Sequence, residues 1–143
     1  MKRGLLIILL GVCFLVVVTG LGTLVTNYFP SHPTPQVQTT RLGLYDVTLR
    51  VNPNPPSVEQ TSTLTIQIRE HISRRPATNA RVVLNGTMES MGMDLRQAEA
   101  TTRGDGTYVA TVQFNESGTW QIQAGIAIPG QSVLTATFTV ATQ

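Results

Sequence analysis

The stretch Trp120-Gln121-Ile122-Gln123-Ala124-Gly125-Ile126-Ala127-Ile128 sets an apolar side chain at every second position. Successive side chains of a strand point to opposite faces, so this alternation predicts a strand with one buried face. The same period recurs along the chain. Tyr45, Val47, Leu49 and Val51 alternate with Asp46, Thr48 and Arg50, and Leu64, Ile66 and Ile68 with Thr65, Gln67 and Arg69. Ala80, Val82 and Leu84 share a face, as do Tyr108, Ala110, Val112 and Phe114. Leu134, Ala136, Phe138 and Val140 complete the series. Abundant valine and threonine suit a pleated surface. Asn52-Pro53-Asn54-Pro55-Pro56 and Pro129-Gly130 read as turns. Asp105-Gly106 reads as a type I′ hairpin turn, in which both central residues take positive φ. The fold expectation is therefore all-β: about seven short strands in two sheets packed face to face, an immunoglobulin-like β-sandwich. Cys13 is the only cysteine, so no intrachain disulfide is available. The core must hold by burial around Trp120, Tyr108, Phe114 and Phe138.

The N-terminus has a different texture. From Gly4 to Val25 there is no charged residue. A run of that length spans a hydrocarbon core of about 30 Å as a helix. Lys2 and Arg3 precede it, and the next basic residue is Arg41. The expected topology is a single transmembrane helix, crossing through residues 5–26, with its N-terminus cytoplasmic and the rest extracytoplasmic at the cell membrane. Tyr28 and Phe29 then fall at the outer interface. The alternative is a cleaved signal peptide ending near Val18-Thr19-Gly20, but the apolar run exceeds the usual core of about 7–15 residues. Cys13 in this run reads as a buried thiol. Pro30, Pro33 and Pro35 stiffen the segment that follows, and His32 within it reads as solvated. The domain expectation is an anchor over 1–28, a proline-rich linker over 29–41 and a β-sandwich domain over 42–143.

Composition narrows the function. Charged residues make up 13% of the chain, against about 25% in a typical soluble domain. The net charge of +2 resides on Lys2 and Arg3, because the arginines and acids from residue 41 onward cancel. A nucleic-acid partner, which calls for a basic face, is not expected. His32 and His71 are the only histidines. A Ser-His-Asp or Cys-His arrangement thus finds no natural assembly, and no enzyme activity is expected.

One segment is chemically unusual. Every methionine after Met1 lies in Met88-Glu89-Ser90-Met91-Gly92-Met93. Thioethers are soft ligands that select Cu(I), and His71 is a candidate nitrogen partner. On an extended segment Met91 and Met93 point the same way, with Met88 joining across the bend. The competing reading is that these methionines fill a core gap or contact a partner. Arg74-Arg75 reads as a solvated turn, or as a docking point for an acidic partner or anionic headgroups.

The order Pro76-Ala-Thr-Asn-Ala80-Arg-Val, Met88-x-x-Met91-Gly-Met93, Gly106-x-Tyr108 and Gly118-x-Trp120 resembles the YtkA-like domain, and more distantly FixH-like and CopC-like sandwiches. The resemblance runs from about Leu44 to Ala141. It implies a single-span or secreted immunoglobulin-like module associated with copper homeostasis or with assembly of copper-containing respiratory oxidases. It implies Met88, Met91 and Met93 as ligands. Glu89 stands where the family often has proline, and Asp94 and Leu95 where some members have histidine. The functional expectation is a membrane-anchored extracytoplasmic binding module handling Cu(I). The alternative is an accessory subunit of a larger membrane complex, without a metal of its own, packed against other membrane-protein subunits. The topology is testable: protease added outside intact cells should cut near Thr34, and moving Lys2 and Arg3 to the far side of the span should scramble orientation.

Overall fold

The computed structural model describes residues 34–88, 90 and 92–143. The apolar stretch at 5–26, its proposed span, Cys13 and His32 lie outside the described residues. Within them, no helix is long and apolar enough to cross a membrane.

The described chain forms eight strands: β1 (Val37–Leu42), β2 (Tyr45–Asn52), β3 (Thr61–Glu70), β4 (Arg81–Met88), β5 (Met93–Thr102), β6 (Thr107–Gln113), β7 (Gly118–Ala127) and β8 (Leu134–Thr142). They hydrogen-bond in the order β1-β2-β3-β6-β5-β4-β7-β8, every pair antiparallel. The result is a nearly closed sandwich. β1, β2, β3 and β6 form one face, and β5, β4, β7 and β8 the other. β5 joins the two faces, pairing with β4 along most of its length but with β6 only at Thr101↔Val109 and Thr102↔Tyr108. The opposite seam is stapled by a side chain. Gln38 Nε2 donates to the Thr139 carbonyl at 2.6 Å, and Gln38 Oε1 accepts from the Thr139 N–H at 3.2 Å.

Eight strands form where about seven are expected, and two of them, β1 and β5, are not legible as alternating apolar runs. β1 begins at Val37, inside the stretch read as linker. Its inward positions are Gln38, Thr40 and Leu42, which are only half-buried. β5 carries Met93, Leu95, Ala98 and Ala100 inward. A register shift opposite Leu84–Gly86 sets Arg96 and Gln97 against Asn85 alone, and this bulge breaks the period of two.

The predicted core residues converge. Trp120, Tyr108, Phe114 and Phe138 are all buried. The Phe114 and Trp120 rings lie 5.7 Å apart at 59°, a tilted arrangement that aromatic quadrupoles favour. Trp120 Nε1 donates to the Glu116 carbonyl at 3.1 Å. The Tyr108 hydroxyl donates to the Ala77 carbonyl at 2.6 Å and accepts from the Ala80 N–H at 2.9 Å, pinning the β3–β4 connection.

The Pro129-Gly130 turn forms as read, with Gly130 at φ +80° and Gln131 N–H donating to the Ile128 carbonyl at 3.1 Å. The Asp105-Gly106 hairpin exists, but not as a type I′ turn. Positive φ falls on Gly104 and Gly106 rather than on Asp105, and the loop closes from the Arg103 N–H to the Thr107 carbonyl at 2.8 Å. Hydrogen bonding from Thr107 holds the Asp105 carboxyl below its ordinary value.

The register defines two ends. The chain enters at Thr34, whose carbonyl accepts from Asn54 Nδ2 at 2.9 Å and whose Oγ1 accepts from Ala141 N–H at 3.3 Å. The β4–β5 hairpin and Gly118 share this entry end. The β1–β2, β3–β4, β5–β6 and β7–β8 connections lie at the other, the distal end.

Trp120→Ala should cost about 3–5 kcal/mol, as large aromatic truncations in cores do, read by chemical denaturation. Gly106→Ala should also destabilise, because a Cβ there meets Pro76 Cβ at 2.7 Å and the Ile68 carbonyl oxygen at 2.9 Å on a backbone at φ +79°. Gly43→Ala has an open neighbourhood and should cost less.

Candidate functional site

The methionine hairpin divides into unequal parts. Met88 ends β4 and points inward, 1% exposed. Its Cε and Sδ lie 3.2 and 3.8 Å from where a Gly118 Cβ would stand, so the absence of a side chain at Gly118 is what lets the thioether seat there. Met93 opens β5 directly opposite Met88 in the ladder and is half-buried against the core. Gly92 turns the chain at φ +61°. Met91 lies outside the described residues, as does Glu89. Opposed residues of an antiparallel pair hold their Cβ atoms about 4.5–5.5 Å apart. The hairpin thus brings Met88 and Met93 together, with Met88 engaged in packing.

His71 is elsewhere. It follows β3 at the distal end, separated from Met88 by the length of β4, roughly 25 Å for eight residues at about 3.3 Å each. His71 Nδ1 lies 2.9 and 3.0 Å from the two Asp46 carboxylate oxygens. Arg74 donates to Asp46 Oδ2 at 3.0 Å. The structure therefore does not bring His71 to the methionines; it places it in an Asp46–His71–Arg74 cluster. Among the described residues no three His, Cys, Asp or Glu side chains group as a metal site.

A groove of 740 Å³ opens where β5 and β6 part below Thr101. Asp94, Arg96 and Gln97 line one wall and Thr111 and Gln113 the other. Glu59, Leu95, Ala98 and Val112 also line it, so its surface is mixed, and it is open to solvent. Among the described residues the ion pairs are Arg74–Asp46 and Arg81–Glu99, neither of them in this groove.

The distal end carries what sequence reading missed. Leu44, Ile72 and Val133 are 67%, 87% and 67% exposed. They come from three connections, β1–β2, β3–β4 and β7–β8. The His71 N–H donates to the Leu44 carbonyl at 2.7 Å, and Gln131 Nε2 donates to the Tyr45 hydroxyl at 2.7 Å, drawing these connections together. Leu44 and Val133 adjoin alternating runs and read as strand residues. Ile72 is a single apolar residue in a polar turn, so no periodicity could flag it.

A YtkA-like family model matches residues 42–125. No curated protein matches. Among solved structures, a DUF4426 family protein from Pseudomonas aeruginosa PAO1 is similar at 14% identity, covering 74% of this chain and 94% of that one, with a TM-score of 0.56. FetP of uropathogenic E. coli strain F11, expressed in the periplasm of E. coli BL21(DE3), is similar at 8% identity, covering 79% and 96%, with a TM-score of 0.51. At these identities the likeness is one of fold.

Met88→Ala should cost about 2–5 kcal/mol while Met88→Leu costs less than about 1.5 kcal/mol. Met93→Ala, at a half-buried position, should cost less than Met88→Ala. Thermal melting of the three variants checks the division of labour.

Proposed function

The chain belongs to the YtkA-like family, and from that premise we propose that it is a single-pass, membrane-anchored accessory protein. Its extracytoplasmic immunoglobulin-like domain binds another subunit of a larger membrane complex. The observation that carries this reading is the distal end. Four large apolar side chains are exposed among the described residues, and three of them, Leu44, Ile72 and Val133, stand at this one end, while Val37, 42% exposed, lies at the other. Exposed apolar groups gathered in this way mark interaction surfaces. The groups that a soft metal site would need have other work: Met88 packs in the core and His71 holds Asp46. With only two histidines in the sequence, one of them hydrogen-bonded to Asp46, the reading is of a binding protein rather than an enzyme.

A second reading keeps Cu(I). It is favoured by the pairing of Met93 with Met88 at the hairpin. In that reading Met91 and Met93 supply the sulfurs, Met88 supports them from behind, and His71 takes no part.

Purification of the full chain from its own membranes in mild detergent tests the first reading, which expects a stoichiometric membrane-protein partner. Migration as a lone species would overturn it. Cu(I) titration tests the second. Affinity tighter than about micromolar, roughly −8 kcal/mol, that falls in Met91→Leu and Met93→Leu supports copper handling. Absence of such affinity in the wild type removes it.

A further inference from the structure

We infer that the distal end docks an acidic protein surface, with Ile72 as the inserted apolar side chain and arginines around it reading the charge. This inference rests on the accessory-protein reading and assigns that reading its surface and partner chemistry.

The turn that carries Ile72 is rigidly built. Arg74 N–H donates to the Glu70 carbonyl at 3.0 Å, and Glu70 N–H donates to the Arg75 carbonyl at 2.8 Å. The Ser73 hydroxyl donates to the Glu70 carboxylate, and Arg75 N–H donates to Ser73 Oγ at 3.2 Å. Arg74 adopts φ +59°, a backbone state that costs a side-chain-bearing residue energy. Its guanidinium is meanwhile tied to Asp46, which also holds His71. The apex is thus fixed from both sides while Ile72 itself stands 87% exposed. A backbone turn held in place before binding loses little freedom on docking, which favours affinity.

Charge at this end is unbalanced toward the positive. Arg41, Arg69, Arg74, Arg75, Arg81 and Arg103 stand here against Asp46, Glu70, Glu99 and Asp105, six positive charges to four negative. Asp46 is held by His71 and Arg74, Glu70 by Ser73 and Asp105 by Thr107. Glu99 is engaged by Arg81, whose hydrogen bond and charge hold that carboxyl below its ordinary value. Arg41, Arg69, Arg75 and Arg103 are exposed and form no ion pair among the described residues. An anionic partner would complement this excess of two positive charges. The composition favours protein over lipid. Lys2 is the only lysine in the chain, and the exposed apolar residues here are aliphatic. Arginine is enriched and lysine depleted in protein interfaces.

The test uses the full chain in its own membranes. A benzophenone amino acid is placed at position 72, at position 133, and at Thr119 on the entry end as a control. After irradiation, positions 72 and 133 should give one and the same protein adduct, and position 119 none. The crosslinked partner peptide should be rich in Asp and Glu. Arg75→Glu with Arg103→Glu should lower adduct yield about fivefold or more, whereas Arg75→Lys retains it, as charge complementarity across an interface requires. Both substitutions sit on exposed positions, and unchanged melting temperatures verify that the domain is intact. Lipid adducts at 72 and 133, no adduct, a basic partner peptide, or a yield indifferent to Arg75→Glu with Arg103→Glu would each overturn the proposal. Continued co-purification of a partner alongside any of these results would show that the accessory reading stands and the docking surface is wrong. Loss of co-purification in the wild type would remove the accessory reading itself.

Discussion

Trp120 and the alternate side chains around it, packed between two faces that no disulfide can tie, are what the remaining architecture depends on. Cys13 is the single cysteine and lies far from the domain in sequence. The six strands with clean alternation therefore carry the burial, and a slip of one residue would turn their apolar sets outward. Trp120, Ile122, Ala124 and Ile126 meet Val82, Leu84 and the inward side of β8 in this way. Tyr108 and Trp120 bury their rings and find carbonyl acceptors for their polar ends, so the core carries its largest side chains with their donors satisfied.

The six strands with clean alternation were legible because burial and period coincide in them. Val47, Leu64, Val82, Tyr108, Trp120 and Val140 all fall where the period puts them. β1 and β5 were not legible, for separate physical reasons. β1 is an edge strand whose inward positions are held by hydrogen bonding as much as by burial, so Gln38 and Thr40 serve where apolar residues would have signalled a strand. β5 alternates, but the bulge at Arg96–Gln97 resets its phase. The Asp105-Gly106 signal located a hairpin correctly and misjudged its geometry, because the neighbouring Gly104 takes one of the positive φ angles.

The methionine cluster shows how far residue chemistry travels without geometry. Thioether identity pointed to a ligand set, yet burial assigns Met88 to the core, and strand direction puts His71 at the other end of the domain. What distinguishes Met88 from Met93 is Gly118, a residue thirty positions on, and no local pattern contains that information. The distal end is the converse case. Its components were visible singly, in Arg74-Arg75 and in three aliphatic residues, but their meeting is a product of topology that brings three connections to one end.

The Gln38 staple has a mechanical consequence. Tension applied through Thr34 pulls β1 along its own axis. β1 is bonded on one side by its ladder from Val37↔Arg50 to Leu42↔Tyr45, and on the other by the Gln38 amide to Thr139. A load along the strand stresses these bonds together in shear, instead of peeling them one after another. The first strand of the domain is thereby suited to bear a load applied at its own N-terminal end.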